Sequence, residues 1–255
     1  MSLDKSKTAE NRFNVESASY HTYRPNYPKE ITEKLENYLE PYQNHCVADI
    51  GCGTGLLSLN FLNLGCSVIG VDPNEKMLKV AEENLKLRYP NFTSILGGSG
   101  STNIKNNTVD LIVSGQAFHW FDNQSTKKEF KRILKPEKRK VMLTWNLRDN
   151  DFEEMKALEN IIQDISVEYK SIGIDIDSIT EKVSDFFDKH YELSVYPNKQ
   201  IVNYDWILGF LKSASYIPKD SDTLKKLEKE ITKIVPRNGS EITFNWKTNV
   251  FIGNI

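Results

Sequence analysis

Residues 47–55 read Val-Ala-Asp-Ile-Gly-Cys-Gly-Thr-Gly, and an apolar-periodic run begins directly after them at Leu56. A short β-forming stretch that gives way to alternate glycines and then to a helical pattern predicts the first strand–turn–helix step of a nucleotide-binding α/β domain. Gly51 permits the tight turn after the strand, Gly53 lets a ligand approach the backbone, and Gly55 allows the new helix to pack closely on the sheet. The loop amides and the helix N-terminus are therefore expected to face a ligand.

A second acidic position follows at the distance that a nucleotide ribose requires. Residues 66–72 are a second short β-forming stretch, which ends in Asp72, twenty-one positions after Gly51. A carboxylate at this spacing can accept hydrogen bonds from both hydroxyls of an adenosine ribose. Asp72 is therefore predicted to bind the ribose.

Two residues of the loop indicate which adenosine cofactor is bound. The dinucleotide-binding pattern requires glycine where this chain has Leu56, and an ionised Asp49 would repel a pyrophosphate. S-adenosylmethionine carries a sulfonium and an ammonium, and Asp49 supplies a countercharge for them, directly or through water. At this point the sequence resembles the class I S-adenosylmethionine-dependent methyltransferases, whose first motif is an acidic residue followed by Gly-x-Gly-x-Gly.

The resemblance implies a fold and a cofactor. It predicts an α/β, class I methyltransferase (Rossmann-like) fold, which is a seven-stranded, mostly parallel sheet with helices on both faces and an inserted cap. The cofactor is expected to be S-adenosyl-L-methionine, and the product S-adenosyl-L-homocysteine. Within a single domain over residues 1–255 we expect an N-terminal lid, a cofactor-binding core, a substrate cap, and a C-terminal helix and strand that complete the sheet, over residues 1–28, 29–149, 150–220 and 221–255.

The lid is predicted from residues 20–28, Tyr-His-Thr-Tyr-Arg-Pro-Asn-Tyr-Pro, in which tyrosines and an arginine surround two prolines. Such a segment is either a surface turn that attaches the N-terminus to the domain, or a lid across the amino-acid end of the cofactor. Many similar small-molecule methyltransferases carry a Tyr-x-x-Tyr-Arg-Pro-x-Tyr-Pro segment, which favours the lid. Tyr23 and Arg24 are predicted to contact the cofactor, and Tyr20 and Tyr27 the substrate.

The resemblance also implies which residues surround the adenine. In the family, the residue two positions after the ribose acid and the first apolar residue of the next helix line the adenine. Here these are Asn74 and Met77, with Pro73 beside them. Cys52 is predicted to be a small residue that fills the cofactor loop, in preference to a nucleophile.

A departure from the family pattern follows the third β-forming stretch. Residues 92–96 run into Gly-Gly-Ser-Gly-Ser-Thr, where similar proteins have an acidic residue that accepts the adenine amino group. Gly100 stands in the place of that acid. Adenine is therefore expected to be held by backbone groups and by the hydroxyl of Ser99 or Ser101.

The fourth β-forming stretch, residues 109–114, leads into Gly-Gln-Ala-Phe-His-Trp-Phe at 115–121. Ligands of open parallel sheets bind at the carboxyl ends of the strands, so this cluster is expected beside the transferable methyl group. His119 is either a packed imidazole or a catalytic base or substrate-orienting group. Gln-Ala-x-His-Trp-Phe is typical of trans-aconitate methyltransferase-like proteins (methyltransferase type 11), which favours the functional role. The other predicted contacts are those to the cofactor from Gln116, Ala117 and Phe118, and those to the substrate from Trp120, Trp145 and Asn146.

Hydrophobic periodicity predicts the remaining elements. The expected helices cover residues 28–42, 75–89, 125–134, 152–165, 205–212 and 224–234, and the expected strands cover 141–146, 192–204 and 241–252. Residues 174–190 mix apolar and charged side chains without a clean period. We place the strand at 192–204 in the cap, and expect the strand at 241–252 to be the antiparallel one of the sheet. Residues 213–216, Ser-Ala-Ser-Tyr, resemble the family's Ser-Trp-Ser-Tyr.

Composition restricts the partners and the location. The formal net charge of -2 offers no general attraction to nucleic acid or to an anionic membrane. Three cysteines without Cys-x-x-Cys spacing predict reduced thiols, no disulfide and no metal site. No apolar run reaches membrane-spanning length, and the N-terminus lacks the hydrophobic region of a signal peptide. We therefore expect a cytoplasmic monomer or homodimer that acts on a small molecule.

The predicted function is methyl transfer to a small organic molecule, with a carboxylic acid as one candidate acceptor. A cofactor-binding protein without catalysis is an alternative, because the adenine acid is missing and the cap motif is altered. An NAD(P)- or flavin-dependent oxidoreductase is disfavoured by Leu56 and Asp49. A nucleic-acid methyltransferase is less favoured still, because no Asn-Pro-Pro-Tyr or Asp-Pro-Pro-Tyr follows the fourth strand and no basic tract offers a path for phosphates.

Overall fold

A central sheet organises the chain, and helices cover it. The computed structural model describes residues 17–121, 123–166, 169 and 175–255. The strands are β1 Cys46–Ile50, β2 Ser67–Asp72, β3 Phe92–Leu96, β4 Leu111–Gly115, β5 Lys140–Arg148, β6 Tyr191–Asn203 and β7 Glu241–Asn254. The helices are α1 Ser17–Thr22, α2 Glu36–Leu39, α3 Ser58–Asn63, α4 Glu75–Leu85, α5 Asn123–Ile133, α6 Glu153–Ile165, α7 Ile176–Phe186, α8 Tyr204–Ser213 and α9 Ser221–Ile231.

The strands lie in the order β3-β2-β1-β4-β5-β7-β6. β1 to β5 pair in parallel, whereas β7 is antiparallel to both β5 and β6. The described residues therefore confirm the predicted class I sheet, including the antiparallel strand near the C-terminus. The strand order reverses between β1 and β4, so the carboxyl ends of β1, β2, β4 and β5 meet at the edge where ligands bind in such sheets.

Apolar side chains bury both faces of this sheet. Successive residues of a strand point to opposite faces, so Val47 belongs to one core cluster and Ala48 to the other. Strands that are apolar on both faces are typical of a parallel sheet covered by helices. The core thus fixes the positions of the strand ends that form the site.

The helix predicted over residues 28–42 is not continuous. Lys29–Leu35 is a 3-10 helix, α2 follows it, and Glu40 then adopts an extended conformation with φ -77° and ψ 135°. Glu40 precedes Pro41, and the α conformation is disfavoured before proline. The predicted apolar face is correct, because Ile31, Leu35 and Leu39 are fully buried.

The predicted position of one strand was wrong. The strand predicted within the cap is β6, which is the edge strand of the sheet and pairs with β7 along its whole length. Residues 176–186, where no period was recognised, form α7, whose Ile179 and Val183 are buried against the sheet. α6, α8 and α9, which we call the cap helices, share a third apolar cluster with Phe244 and Trp246 of β7.

The lid is described only in part. Residues 1–16 lie outside the described residues, while residues 17–28 consist of α1 and the segment that leads into the first 3-10 helix. Among the helices that the structure describes, none has the length and apolar character needed to cross a membrane.

Candidate functional site

A cavity of about 850 Å³ opens where β1, β2, β4 and β5 end. Small-molecule and cofactor sites typically enclose about 300–1,000 Å³. The predicted residues that line it are Tyr20, Arg24, Tyr27, Asp49, Gly51, Cys52, Gly53, Asp72, Pro73, Asn74, Met77, Gln116, Ala117, His119, Trp120 and Asn146. The fold therefore brings the lid, the glycine loop, the second acid and the turn after β4 to one cavity.

The glycine loop adopts a backbone that other residues would strain. Gly51 has φ +72°, and a Cβ on it would lie 2.6 Å from the Ala117 Cβ. Gly53 has φ +54°, and a Cβ there would meet nothing within 4 Å. Gly53 therefore leaves open space beside the backbone, as a ligand-binding turn requires.

Asp72 is buried at the carboxyl end of β2 and is held by two backbone amides. Its Oδ2 accepts a hydrogen bond from the Gly53 N–H at 2.9 Å, and its Oδ1 accepts one from the Asn74 N–H at 2.9 Å. Burial raises the pKa of Asp72, and these two hydrogen bonds oppose that effect. Because each carboxylate oxygen has two lone-pair sites, each retains one for a ligand hydroxyl.

Asp49 is fully buried near the end of β1, and only one of its two carboxylate oxygens has a hydrogen-bond partner among the described residues. Its Oδ2 accepts a hydrogen bond from the Ser58 hydroxyl at 2.7 Å. Its Oδ1 has no hydrogen-bond partner among the described residues. Burial raises the pKa of Asp49 to about 7. A buried carboxylate oxygen without a partner is costly, so this site suits a ligand that brings a positive charge or a hydrogen-bond donor.

Gln116 is the most strained residue of the turn after β4. Its φ of +54° lies in the left-handed region, which non-glycine residues adopt only rarely. Its backbone N–H donates to the Thr144 carbonyl at 2.9 Å, and its Nε2 donates to the Asn146 carbonyl at 3.3 Å. The buried Oε1 has no partner among the described residues. Such strain, held by the surrounding structure, is common at ligand sites.

His119 lies three residues after Gln116, in the same segment after β4, and is partly buried. The Trp145 Nε1–H donates to its Nδ1 at 3.5 Å. Burial, and then the nearby Lys182 ammonium, lower the pKa of His119 to about 4. The ring is therefore neutral at pH 7, and its proton is on Nε2, because Nδ1 accepts a hydrogen bond.

The lid is tied to the cavity by Arg24 and Asn146. The Arg24 Nη2 donates to the Ser213 carbonyl at 3.3 Å, and its guanidinium lies 4.5 Å from the centre of the Tyr20 ring. The Arg24 Nε is buried without a partner among the described residues. Asn146 Nδ2 donates to the carbonyls of Pro25 and Asn26 at 3.4 and 3.3 Å, which fixes the lid against β5.

The comparisons with known proteins agree with this geometry. The "Methyltransferase domain" family matches residues 48–142, which hold the glycine loop, both acids and the turn after β4. The uncharacterized methyltransferase C25B8.09 of Schizosaccharomyces pombe is 33% identical over 152 residues, which are 59% of this chain and 59% of that protein. Residues 48–142 therefore match a methyltransferase domain, and this match together with the sheet topology supports a class I S-adenosylmethionine-dependent methyltransferase.

Two further comparisons cover more of the chain. The uncharacterized methyltransferase-like C25B8.10 of Schizosaccharomyces pombe is 25% identical over 250 residues, which are 94% of this chain and 93% of that protein. A solved structure from Anaeromyxobacter dehalogenans, provisionally assigned as a type II methyltransferase, has a TM-score of 0.66 at 19% identity and covers 91% of this chain and 98% of that one. The likeness in structure extends the class I fold over nearly the whole chain.

Several residues that were predicted to contact ligands lie outside the described lining of the cavity. Phe118 and Trp145 are fully buried in the core beneath the cavity, where their rings pack edge to face. Tyr23 packs on Gly209 of α8, where a Cβ would lie 2.5 Å from its ring. Gly55 faces α4, because a Cβ on it would meet Leu85 at 2.4 Å. Gly55 therefore allows the glycine loop to pack closely on α4.

The predicted adenine contacts after β3 are also displaced. The turn that contains Ser99, Gly100 and Ser101 lies outside the described lining of the cavity. Thr126 of α5 donates its hydroxyl to Ser99 Oγ at 2.9 Å, and a Cβ on Gly100 would lie 3.0 Å from Ser125 Oγ. The small residues of this turn therefore allow it to pack on α5.

All three cysteines are free, and burial raises the pKa of Cys52 well above that of an ordinary thiol. A Cβ on Gly70 would lie 2.9 Å from the Cys52 sulfur, so Cys52 packs against β2. Within the described ranges, no group of three or more His, Cys, Asp and Glu side chains could hold a metal ion.

The cavity wall also contains a polar cluster that the sequence does not predict. Arg148, at the end of β5, forms an ion pair with Glu159 of α6, with 2.6 Å between Nε and Oε2. Tyr169 bonds to both of them, and all three line the cavity. Arg148 and Glu159 are 11 positions apart and Glu159 and Tyr169 are 10 apart, and they match no local motif, so only the fold brings them together.

Proposed function

We propose that the protein transfers the methyl group of S-adenosylmethionine to a small organic acceptor. The observation that carries this proposal is the Asp49 carboxylate, which is fully buried in the wall of the cavity with Oδ1 unpartnered among the described residues. A dinucleotide would place a pyrophosphate beside this loop, whereas the methyl donor places cationic groups there. The residues present therefore fit the methyl donor.

Five of the predicted cofactor ligands that line the cavity then have roles that their environments support. Asp72 accepts the two ribose hydroxyls with its remaining lone pairs, while its amide bonds hold the loop in shape. Asp49 provides the countercharge for the cationic end of the cofactor. Arg24 has an unpartnered Nε among the described residues, and pairs with the carboxylate of the amino-acid end. Asn74 caps α4 and Met77 is buried in the wall, and both pack beside the adenine.

The bound cofactor supplies an activated methyl group with a neutral leaving group, so the chain mainly aligns the reactants and excludes water. Neutral His119 carries its proton on Nε2 and can donate a hydrogen bond to an acceptor oxygen. With a pKa of about 4 it is a weak base at neutral pH. This favours an acceptor whose oxygen is already ionised, such as a carboxylate, with His119, Tyr27 and Trp120 as its contacts.

Location and assembly remain part of the proposal. Free thiols and a formal net charge of -2 support a cytoplasmic protein that acts on a small molecule and not on nucleic acid, as a monomer or a homodimer.

An assay with isotope-labelled methyl donor tests the proposal. Purified protein is incubated with panels of small carboxylic acids, alcohols and amines, and label in the acceptor is measured over time. We expect transfer to at least one carboxylic acid, and none with Asp72→Ala. Binding of S-adenosylhomocysteine without transfer to any acceptor would support the non-catalytic alternative. Binding of NAD or NADP in its place would support an oxidoreductase.

A further inference from the structure

The cavity extends beyond the predicted site, along β5 toward the cap. Arg148 lies two residues after Asn146 on the same face of β5, which is about 7 Å farther along the strand. Arg148 is also paired in the sheet with Trp246 of β7. We name this end of the cavity the cap subsite, which is lined by Arg148, Glu159, Tyr169, Phe210, Tyr216 and Trp246.

The charges of the cap subsite balance one another. The side chains of Arg148 and Glu159 are each 15% exposed, and they form the ion pair described above. The Glu159 carboxylate also accepts hydrogen bonds from the Tyr169 hydroxyl at 3.1 Å and from the Gln163 Nε2 at 2.9 Å. The carboxylate therefore accepts three hydrogen bonds and neutralises the guanidinium, so this ion pair provides no excess charge to attract an ion.

One donor of the cap subsite has no acceptor. The Trp246 side chain is buried, with the residue 3% exposed, and its Nε1 has no hydrogen-bond partner among the described residues. An indole N–H can only donate, and a buried donor without an acceptor is costly. The centre of the Phe210 ring lies 5.8 Å from that of the Trp246 ring, so aromatic surface adjoins the donor.

We propose that the cap subsite binds the distal end of the methyl acceptor, and that the acceptor is a flat, apolar molecule with an uncharged oxygen there, such as a carbonyl. The Trp246 N–H donates to that oxygen, and the rings of Phe210 and Trp246 contact the apolar body. This inference rests on the proposed function, which places the reacting group of the acceptor beside His119. Trp246 is thus a specificity-determining residue for the distal end.

A matched pair of probes tests the inference in the wild-type protein. 4-Acetylbenzoate and 4-isopropenylbenzoate have the same shape, but the second replaces the carbonyl oxygen with a methylene group. Each is titrated calorimetrically into the protein already saturated with S-adenosylhomocysteine. We expect the acetyl compound to bind about threefold to tenfold more tightly, which is the effect of one buried hydrogen bond.

Two variants locate the effect. Trp246→Phe keeps an aromatic ring but removes the N–H, so it should abolish the preference for the acetyl compound and leave S-adenosylhomocysteine affinity unchanged. Trp206→Phe is the matched control. It removes an indole N–H from α8, where Trp206 stacks on Phe210, and should retain the preference.

The outcomes separate this inference from the proposed function. Failure to bind S-adenosylhomocysteine contradicts both. Normal binding of S-adenosylhomocysteine, with equal affinities for the two probes or with no probe binding, contradicts the cap subsite alone. A preference that persists in Trp246→Phe also contradicts it, because the oxygen is then recognised elsewhere.

Discussion

Two buried aspartates lie at opposite ends of the parallel strands. They differ in whether both carboxylate oxygens have a bonding partner. Asp110, just before β4, forms an ion pair with Lys135 at 2.8 Å and accepts a hydrogen bond from the Cys46 N–H at 2.9 Å. Asp49, near the end of β1, accepts one hydrogen bond from Ser58, and its Oδ1 has no partner among the described residues. The protein therefore completes the bonding of Asp110 and leaves that of Asp49 incomplete.

The difference separates stability from binding. At the amino ends of the strands, a buried charge with all its partners holds the fold together. At the carboxyl ends, an incompletely bonded charge costs stability, and a ligand can recover that cost. The predictions below test this contrast.

The largest effect is expected from Asp72→Ala at the ligand-binding end. The change removes both proposed ribose contacts and the anchor of the Gly53 amide. Each charge-assisted hydrogen bond contributes about 1.5–3 kcal/mol, so S-adenosylhomocysteine affinity should fall by about 100-fold or more. Calorimetric titration measures it, with Asp110→Asn as the matched carboxylate control, whose affinity should remain within about twofold of wild type. An unchanged affinity in Asp72→Ala would exclude the assigned ribose site.

A pair of variants tests the contrast through folding. Asp110→Asn leaves Lys135 without its counterion, and should lower the free energy of unfolding by about 2–3 kcal/mol. Asp49→Asn removes a desolvated charge, and should leave the free energy of unfolding of the ligand-free protein unchanged or raise it. Urea denaturation compares the two. If Asp49→Asn destabilises the protein as much as Asp110→Asn does, the incomplete bonding of Asp49 has no functional meaning.

The sequence reveals the ligand-binding end because its signals are local. The glycine loop, Asp49 and Asp72 lie on two successive strand ends, so their spacing along the chain already predicts their positions. Where side chains of neighbouring residues point to opposite sides, as for Trp145 and Asn146, a motif indicates the region but not which side chain reaches the cavity.

Other features depend on the tertiary structure. β6 has no signal that distinguishes an edge strand from a cap strand, and only its pairing with β7 does so. The Arg148 cluster joins Arg148 of β5, Glu159 of α6 and Tyr169 after α6, which no local pattern connects. α7 is a different case, because Ile179, Val183 and Phe186 have helical spacing that could have been recognised.

The titration of Asp49 is expected to have a moderate effect on the free energy of unfolding. Its pKa is about 7 in the folded protein and about 4 in an unfolded chain. Between pH 4 and 7 the folded state therefore binds more protons at Asp49, and this contribution to the free energy of unfolding decreases as the pH rises. His119, with its pKa lowered to about 4, contributes in the opposite direction between about pH 4 and 6.5. Urea denaturation of wild type and Asp49→Asn across this pH range gives the difference in their free energies of unfolding, which is the contribution of Asp49.

The titration of Asp49 should also change cofactor affinity. The affinity is expected to rise with pH, whereas the Asp49 contribution to the free energy of unfolding falls. The ionised Asp49 carboxylate attracts the cationic cofactor, so S-adenosylmethionine affinity should rise as the pH increases through 7, by up to about tenfold per pH unit below the pKa. Asp49→Asn should bind more weakly and without this dependence. A wild-type affinity that is flat between pH 6 and 8 would contradict the role of Asp49.

The smallest effect is expected at Trp145. Trp145→Phe removes the hydrogen bond of 3.5 Å that orients His119. Because the bond is long and uncharged, kcat should fall only about twofold to threefold. With the cofactor saturating, kcat should be flat above pH 5 in both proteins, since the pKa of His119 is about 4. A wild-type profile with a rise near pH 6.5 would instead assign His119 the role of a base.

The most direct test of the central claim is calorimetric titration of S-adenosylmethionine and S-adenosylhomocysteine into wild type, Asp49→Asn and Asp110→Asn at pH 8. We expect both compounds to bind the wild type and Asp110→Asn, and Asp49→Asn to weaken S-adenosylmethionine binding more than S-adenosylhomocysteine binding, since only the former carries the sulfonium. No heat with either compound in the wild type, or equal binding by all three proteins, would contradict the claim that Asp49 is left unpaired for a cationic cofactor.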